Sequence, residues 1–286
     1  MEFFISQTFN ALSYAGLLFL LGGGMTLIFG TMKIVNIAHG GFYLLGGYTG
    51  YIVAQYTGNF FLAIVGACAT VGLIGMALER FLLRTLSGQL LRQMLMTMGI
   101  TLFIADVLLL IFKGYPLTLS VPAYIGGTIQ LGGMRFHLLR VFMIVCAVLV
   151  YITLWWIQEK TRAGAIVRAV VDNAEVAQGI GINVDRVSMA VFGLGALLAA
   201  FAGVIGSAFT AIYPGLDFAV LPLAFVVVIL GGMGSLKGAL VGAVIVGFID
   251  NFAKALFPEL AYFSLFFPMI VMLSIKPTGL FSRERL

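Results

Sequence analysis

The sequence has 286 residues, 62% of them hydrophobic and 9% charged, with a mean hydropathy of +1.12. So little polar surface cannot cover a water-soluble fold, which excludes a soluble enzyme or a nucleic-acid-binding domain. The net charge of +5 instead bears on which side of a membrane the cations occupy.

No basic residue precedes the first apolar run after Met1-Glu2-Phe3-Phe4, so a cleaved signal peptide is not expected. Crossing the roughly 30 Å hydrocarbon core takes about 20 apolar residues. In chain order, apolar runs bounded by charges, Gly or Pro fall near 10–30, 40–56, 60–78, 94–112, 138–157, 188–212, 219–232, 238–257 and 262–276. The run at 219–232 is short and holds Pro222, which makes it a candidate for a broken or re-entrant segment. The expected fold is all-α: a single polytopic transmembrane domain over residues 1–286 with about eight or nine membrane helices. Cys68 and Cys146 each lie inside an apolar run and are expected to pack as small hydrophobes, with no disulfide framework.

Alternating these spans with the C-terminus inside gathers Lys33, Arg80, Arg84, Arg92, the cations of 160–186, Lys237, Lys276, Arg283 and Arg285 on one side. Only Lys113, Arg135, Arg140 and Lys254 fall on or near the other. The positive-inside rule then places the N-terminus outside and the C-terminus in the cytoplasm. Two aqueous segments result. The outer one, from Lys113 to His137, is punctuated by Pro116, Pro122, Gly126-Gly127 and Gly132-Gly133, which favours turns and short extended pieces capping the outer face. The inner one, from Glu159 to Arg186, carries the one sizeable charged helical pattern, with Ile166, Ala169, Val170 and Asn173 spaced to share a face. A purely topological loop needs far less length, so a partner is expected to dock there.

Glycine clusters at 22–24, 40–41, 46–47 and 231–234 permit close helix packing or a break beside a cavity. In Asn36-Ile-Ala-His-Gly-Gly-Phe-Tyr43 a polar pair precedes a double Gly at the start of a span, the pattern of an unwound helix beside a pathway. Ionisable groups within spans are Asp106 and the pair Asp250 and Lys254. Charges at bilayer depth face a cavity or a partner, and the i, i+4 spacing lets the last two pair with each other. These groups are what a stand-alone ion-coupled carrier or channel would use. His39 has no second His or Cys at ligand spacing, so no metal site is expected. Leu86-Ser-Gly-Gln-Leu90 resembles the signature loop of ATP-binding-cassette ATPases but lacks a Gly, and Gly232–Gly238 lacks the spacing of a phosphate loop. No nucleophile and base stand together, so neither ATP hydrolysis nor other catalysis is expected.

Asn36-Ile-Ala-His-Gly40, Thr161-Arg-Ala-Gly164, Gly181-Ile-Asn-Val-Asp-Arg186, Leu230-Gly-Gly-Met-Gly-Ser235 and Pro277-Thr-Gly279 together resemble the permease subunits of branched-chain amino-acid ABC importers, the H-type more closely than the longer M-type. The order matches along nearly the whole chain. The resemblance implies a bacterial or archaeal inner-membrane permease without a cofactor of its own. Its implied partners are a second, M-type permease, two cytoplasmic ATPases that bind ATP and Mg, and a periplasmic solute-binding protein. It implies that segment 159–186 couples to an ATPase, with Arg162, Gly164, Arg168, Asp172, Glu175 and Gly179 as coupling residues. It further implies a solute path near Asn36, His39, Gly40, Gly41, Phe42, Tyr43, Leu223 and Phe225. Many members carry Glu where this chain has Gly41 and Lys where it has Leu223. Either the two form a structural ion pair whose joint loss costs little net stability, or a pathway lacking both charges is less polar and suits an aromatic or carboxylate solute, in which case restoring Glu and Lys together restores a charged pathway.

Overall fold

A computed structural model describes residues 1–131, 134–276 and 278–281. Gly132, Gly133, Pro277, Arg283 and Arg285, which enter the sequence reading, lie outside the described residues. The chain opens with α1 (Glu2–Met32), α2 (Ala38–Thr57) and α3 (Phe60–Leu78), which runs on through a π turn at Glu79–Leu83 and a 3-10 turn at Arg84–Leu86. Next come α4 (Leu90–Phe112), the short α5 (Ala123–Gly126) and an antiparallel hairpin of β1 (Thr128–Leu131) and β2 (Met134–His137). The second half comprises α6 (Leu138–Lys160), α7 (Arg162–Asp172), α8 (Ala174–Gly179), α9 (Val184–Phe209), α10 (Leu216–Gly231), α11 (Leu236–Leu256) and α12 (Ala261–Ile275).

Six helices among the described residues are long and apolar enough to cross a membrane: α1, α3 with its extension, α4, α6, α9 and α11. Of the other expected spans, α10 and Phe266–Ile275 of α12 are shorter apolar pieces, and α2 is not among the six. Apolar all round, α1 and α9 sit in the middle of the bundle, with most of their residues buried. In contrast α3, α4 and α6 bury one side and expose Leu73, Phe103, Leu110 and Leu149 on the other, a surface suited to lipid or to another membrane subunit.

Glycine explains how closely the central helices approach. Gly203 of α9 lies against the backbone of Tyr43 and Gly47 in α2, and Gly46 lies against Ala200. Gly24 of α1 faces the Gly195 carbonyl of α9, where an added Cβ would stand 2.7 Å from the oxygen. Without a hydrophobic driving force between helices in lipid, such backbone approach supplies the van der Waals contact that holds them.

The two ends of the bundle differ. At one, the hairpin packs on the start of α1, with Phe9 and Phe136 edge to face at 4.9 Å. There Leu117 and Ile212 exchange backbone hydrogen bonds of 2.9 and 2.7 Å, and Leu119 N–H donates to Ser207 O at 2.9 Å. The expected capping segment is thus pinned to the end of α9. At the other end α7 lies beside the close of α1 and the turn between α10 and α11, and α8 follows it toward the start of α9. The expected single amphipathic helix is in fact two. Asn173 does not share the face of Ile166; its Oδ1 accepts from Glu175 N and Val176 N at 3.0 and 3.1 Å, capping α8 and ending α7. Competition of the Asn side chain with the helical backbone is the physical reason.

Candidate functional site: a membrane cavity and a docking segment

At the hairpin end a cavity of about 400 Å³ opens between α1, α2, α10 and α11. Its apolar wall includes Leu17, Leu18, Leu21, Val220 and Leu223, and its polar wall Asn10, Arg140, Asp250, Asn251 and Lys254. Lys254 Nζ donates to Asp250 Oδ2 at 2.7 Å and stands 5.6 Å above the Tyr14 ring. The Lys254 side chain is 55% exposed and that of Asp250 2%, so a buried acid is held by a cation at the cavity edge. Arg140 donates to Asn10 Oδ1 and covers the Phe209 ring at 5.4 Å.

Of the residues expected along a solute path, Tyr43 and Leu223 line this cavity. The others pack inside the bundle. Ile37 is clamped by α4, its N–H donating to Thr97 Oγ1 at 3.2 Å and its carbonyl accepting from Thr101 Oγ1 at 3.0 Å. His39 Nε2–H donates to Leu21 O at 2.8 Å across to α1. Gly40 abuts the Asp217 backbone, Phe42 stands edge to face with Phe192 at 5.9 Å, and Phe225 joins the main apolar cluster. Asn36 is fully buried, and neither amide atom has a hydrogen-bond partner. The break between α1 and α2 is therefore real, but its polar residues serve the junction rather than the cavity wall.

A side chain at position 41 would meet Thr101 Cα at 3.3 Å and Ile104 Cδ1 at 3.5 Å on α4, whereas Leu223 faces the cavity. The two positions serve different surroundings, and Arg140, Asp250 and Lys254 keep the cavity charged without them. In the sequence Asp250 and Lys254 were recognisable as a mutual pair, but nothing there showed that Arg140, over a hundred residues away, joins them. Asp106 is exposed on α4 and outside the cavity lining.

At the opposite end a second cavity of about 630 Å³ separates α7 from the end of α1 and the α10–α11 turn. Gly164, Val167, Arg168, Val171 and Asp172 line it, spaced i, i+3, i+4, i+7 and i+8 on one face. That face turns toward the chain's own bundle, so Gly164, Arg168 and Asp172 of the expected coupling set border this groove. Arg162, Glu175 and Gly179 are exposed, as are Val176 at 60% and Ile180 at 72%. The sequence reading missed these two apolar side chains because their exposure follows from the Asn173 cap.

The junction motifs have direct structural causes. Thr161 Oγ1 accepts from Gly164 N at 3.2 Å and donates to Ile157 O at 2.6 Å, while Gly164 presses on the last carbonyls of α6, where no Cβ fits. Thr161→Ala is expected to cost about 1 kcal/mol through loss of the helix cap, seen as a lower thermal midpoint of the purified chain in detergent. Arg84 bridges Glu79 at 3.6 Å and Asp185 at 3.5 Å, tying the extension of α3 to the start of α9. Gly279 lies against Gly232, and Leu280 and Phe281 donate to the Leu230 and Gly231 carbonyls at 3.0 Å, so the Leu230–Ser235 motif and the C-terminal motif form one crossing. Among the described residues no group of three or more His, Cys, Asp or Glu gathers to hold a metal.

The family model described as branched-chain amino acid transport system / permease component matches residues 7–275. The chain belongs to that family. The high-affinity branched-chain amino acid transport system permease protein BraD of Pseudomonas aeruginosa is 26% identical, the match covering 98% of this chain and 96% of BraD. The permease protein LivH of the corresponding Escherichia coli K12 system is 27% identical over the same shares. The ribose import permease protein RbsC of Escherichia coli K12 is 25% identical, over 96% of this chain and 85% of RbsC. No solved structure matches significantly. This is a multi-pass membrane permease of a transport family, as the sequence motifs implied.

Proposed function

We propose that the chain is a permease subunit of an ABC importer for amino acids or related small organic solutes, in a bacterial or archaeal inner membrane. The observation that carries this reading is the pairing, within one chain, of a solute-sized cavity at one end and an exposed α7–α8 segment at the other. A permease driven by ATP on separate subunits needs both. The named solutes of the relatives, branched-chain amino acids and ribose, agree with a cargo of this size.

In this reading the whole chain is one transmembrane unit with about eight or nine spans, α2, α10 and α12 adding to the six long helices. The N-terminus and hairpin lie outside, the C-terminus and segment 159–186 in the cytoplasm, as the distribution of cations supports. Two ATPases carry ATP and Mg, a periplasmic binding protein delivers the solute at the hairpin end, and a second permease completes the path. Asp106, exposed on α4 among Phe103 and Leu110, favours a protein neighbour on that face, since a lipid-facing carboxylate is costly.

Coupling runs through α7 and α8: Arg162, Glu175, Val176, Gly179 and Ile180 meet the ATPase. Gly164, Arg168 and Asp172 seat the segment on the bundle, and the capped α6–α7 junction transmits its displacement. Closure of the ATPases then shifts the bundle between outward- and inward-open arrangements. Asn36, His39, Gly40, Gly41 and Phe42 hold the α1–α2 break, beside which Tyr43 and Leu223 border the solute, with Phe225 packed behind.

The test is a pull-down of the tagged chain from membranes in mild detergent, with stoichiometric partners identified by mass spectrometry. Recovery of ATPase subunits and a second permease is expected; a chain that purifies alone overturns the reading.

A further inference from the structure

The geometry points to a zwitterion-recognition site in the permease itself, in which Arg140 takes the carboxylate of a small apolar amino acid and Asp250 its ammonium group. This rests on the reading of the chain as an importer permease and assigns it selectivity of its own at the cavity of the hairpin end.

Three observations carry it. Among the described residues, Arg140 has no carboxylate within ion-pair distance: its contacts are Asn10 Oδ1 and the face of Phe209. Yet its guanidinium lies at a cavity lined mostly by apolar groups, where an unpaired cation attracts an anion strongly and a planar fork suits a carboxylate. Second, Asp250 is 1% exposed, and only Oδ2 is used, by Lys254; Oδ1 is buried with no hydrogen-bond partner. An orphaned acceptor on the wall of a cavity calls for a donor from whatever fills it. Third, Leu17, Leu18, Leu21, Val220 and Leu223 form the rest of the wall, and a cavity of about 400 Å³ lies at the small end of ligand sites.

Each simpler ligand leaves one group unanswered. A monocarboxylate pairs with Arg140 but leaves Asp250 Oδ1 unsatisfied, and an amine does the reverse. A neutral sugar can donate a hydroxyl to Asp250 Oδ1 but brings no anion to Arg140. An α-amino acid satisfies both and buries its side chain against the leucines. Lys254 pairs with Oδ2 of Asp250 alone, so Oδ1 stays open to a second donor.

The test uses the purified assembly that co-purifies with the chain, free of binding protein, and three probes differing only at the head group: L-leucine, 4-methylpentanoate and 3-methylbutylamine. Binding is followed by saturation-transfer NMR. Leucine is expected to bind at least about tenfold more tightly than either analogue, as one lost charge-assisted hydrogen bond implies. Asp250→Asn should remove the advantage of leucine over 4-methylpentanoate, and Arg140→Gln its advantage over 3-methylbutylamine. Equal binding of leucine and 4-methylpentanoate by the unaltered assembly, no leucine binding at all, or variants that keep the original preference would overturn the site. If Asp250→Asn fails to assemble, the comparison of probes on the unaltered assembly and on Arg140→Gln still decides. Absence of ATPase subunits sinks the importer reading alone, because the probe comparison runs on whatever assembly the chain forms.

Discussion

Gly203→Leu is expected to eliminate the folded chain from membranes, whereas Gly99→Leu leaves its amount and thermal stability unchanged. A Cβ at 203 would collide with the Tyr43 carbonyl oxygen and stand 2.9 Å from its carbon and 3.0 Å from Gly47 N. All three are backbone atoms of α2, which cannot move aside by a change of rotamer. Overpacking by a single group already costs about 1–3 kcal/mol, and four added carbons must push apart two helices whose association depends on close backbone contact. The loss then approaches the roughly 5–15 kcal/mol that holds an ordinary fold. At Gly99 nothing lies within 4 Å of the added Cβ, and an exposed helical Gly replaced by Leu gains helix propensity. Fluorescence size-exclusion of detergent extracts, followed by thermal unfolding of the folded fraction, separates the two. Equal recovery of the two variants would mean that α2 and α9 do not cross as described.

Replacing Val176 and Ile180 together by Asp is expected to lower ATP-driven uptake tenfold or more while the chain stays folded. Both side chains are on or just beyond α8, at i and i+4, and exposed at 60% and 72%, so their replacement removes nothing from the chain's own core. An exposed apolar pair costs nothing to charge unless a partner covers it, and burying an unpaired carboxylate in an interface is expensive. Loss of ATPase subunits from the purified assembly, with an unshifted thermal midpoint of the chain, is the signature of a docking surface. Full retention of the ATPases would assign coupling to another part of segment 159–186.

The sequence made the helical bundle and the family legible, because these depend on local patterns: apolar length, glycine spacing and short motifs. The cavity was not legible in the same way. It assembles Asn10, Arg140, Phe209 and Lys254 from four distant helices, and no local pattern marks such a convergence. His39 and Gly40 lie at the α1–α2 junction, one bonded to Leu21 O and the other against the Asp217 backbone, while of the same motif Tyr43 lines the cavity. The apolar face drawn through Ile166 and Asn173 assumed an unbroken helix. The Asn173 cap ends α7, whose face through Gly164, Arg168 and Asp172 borders the groove, and starts α8 in a new direction that leaves Val176 and Ile180 outside. Gly41 and Leu223 read as a charge pair lost together, yet one faces Thr101 and the other the cavity. Leu223→Lys alone therefore alters the cavity wall.

The most direct test of the central claim is uptake of radiolabelled L-leucine into proteoliposomes bearing the assembly that co-purifies with the chain, with its binding protein outside. Uptake that requires ATP and Mg on the ATPase side and is indifferent to an imposed proton or sodium gradient is the predicted result. Uptake by this chain alone, driven by the ion gradient and unchanged without ATP, would contradict it.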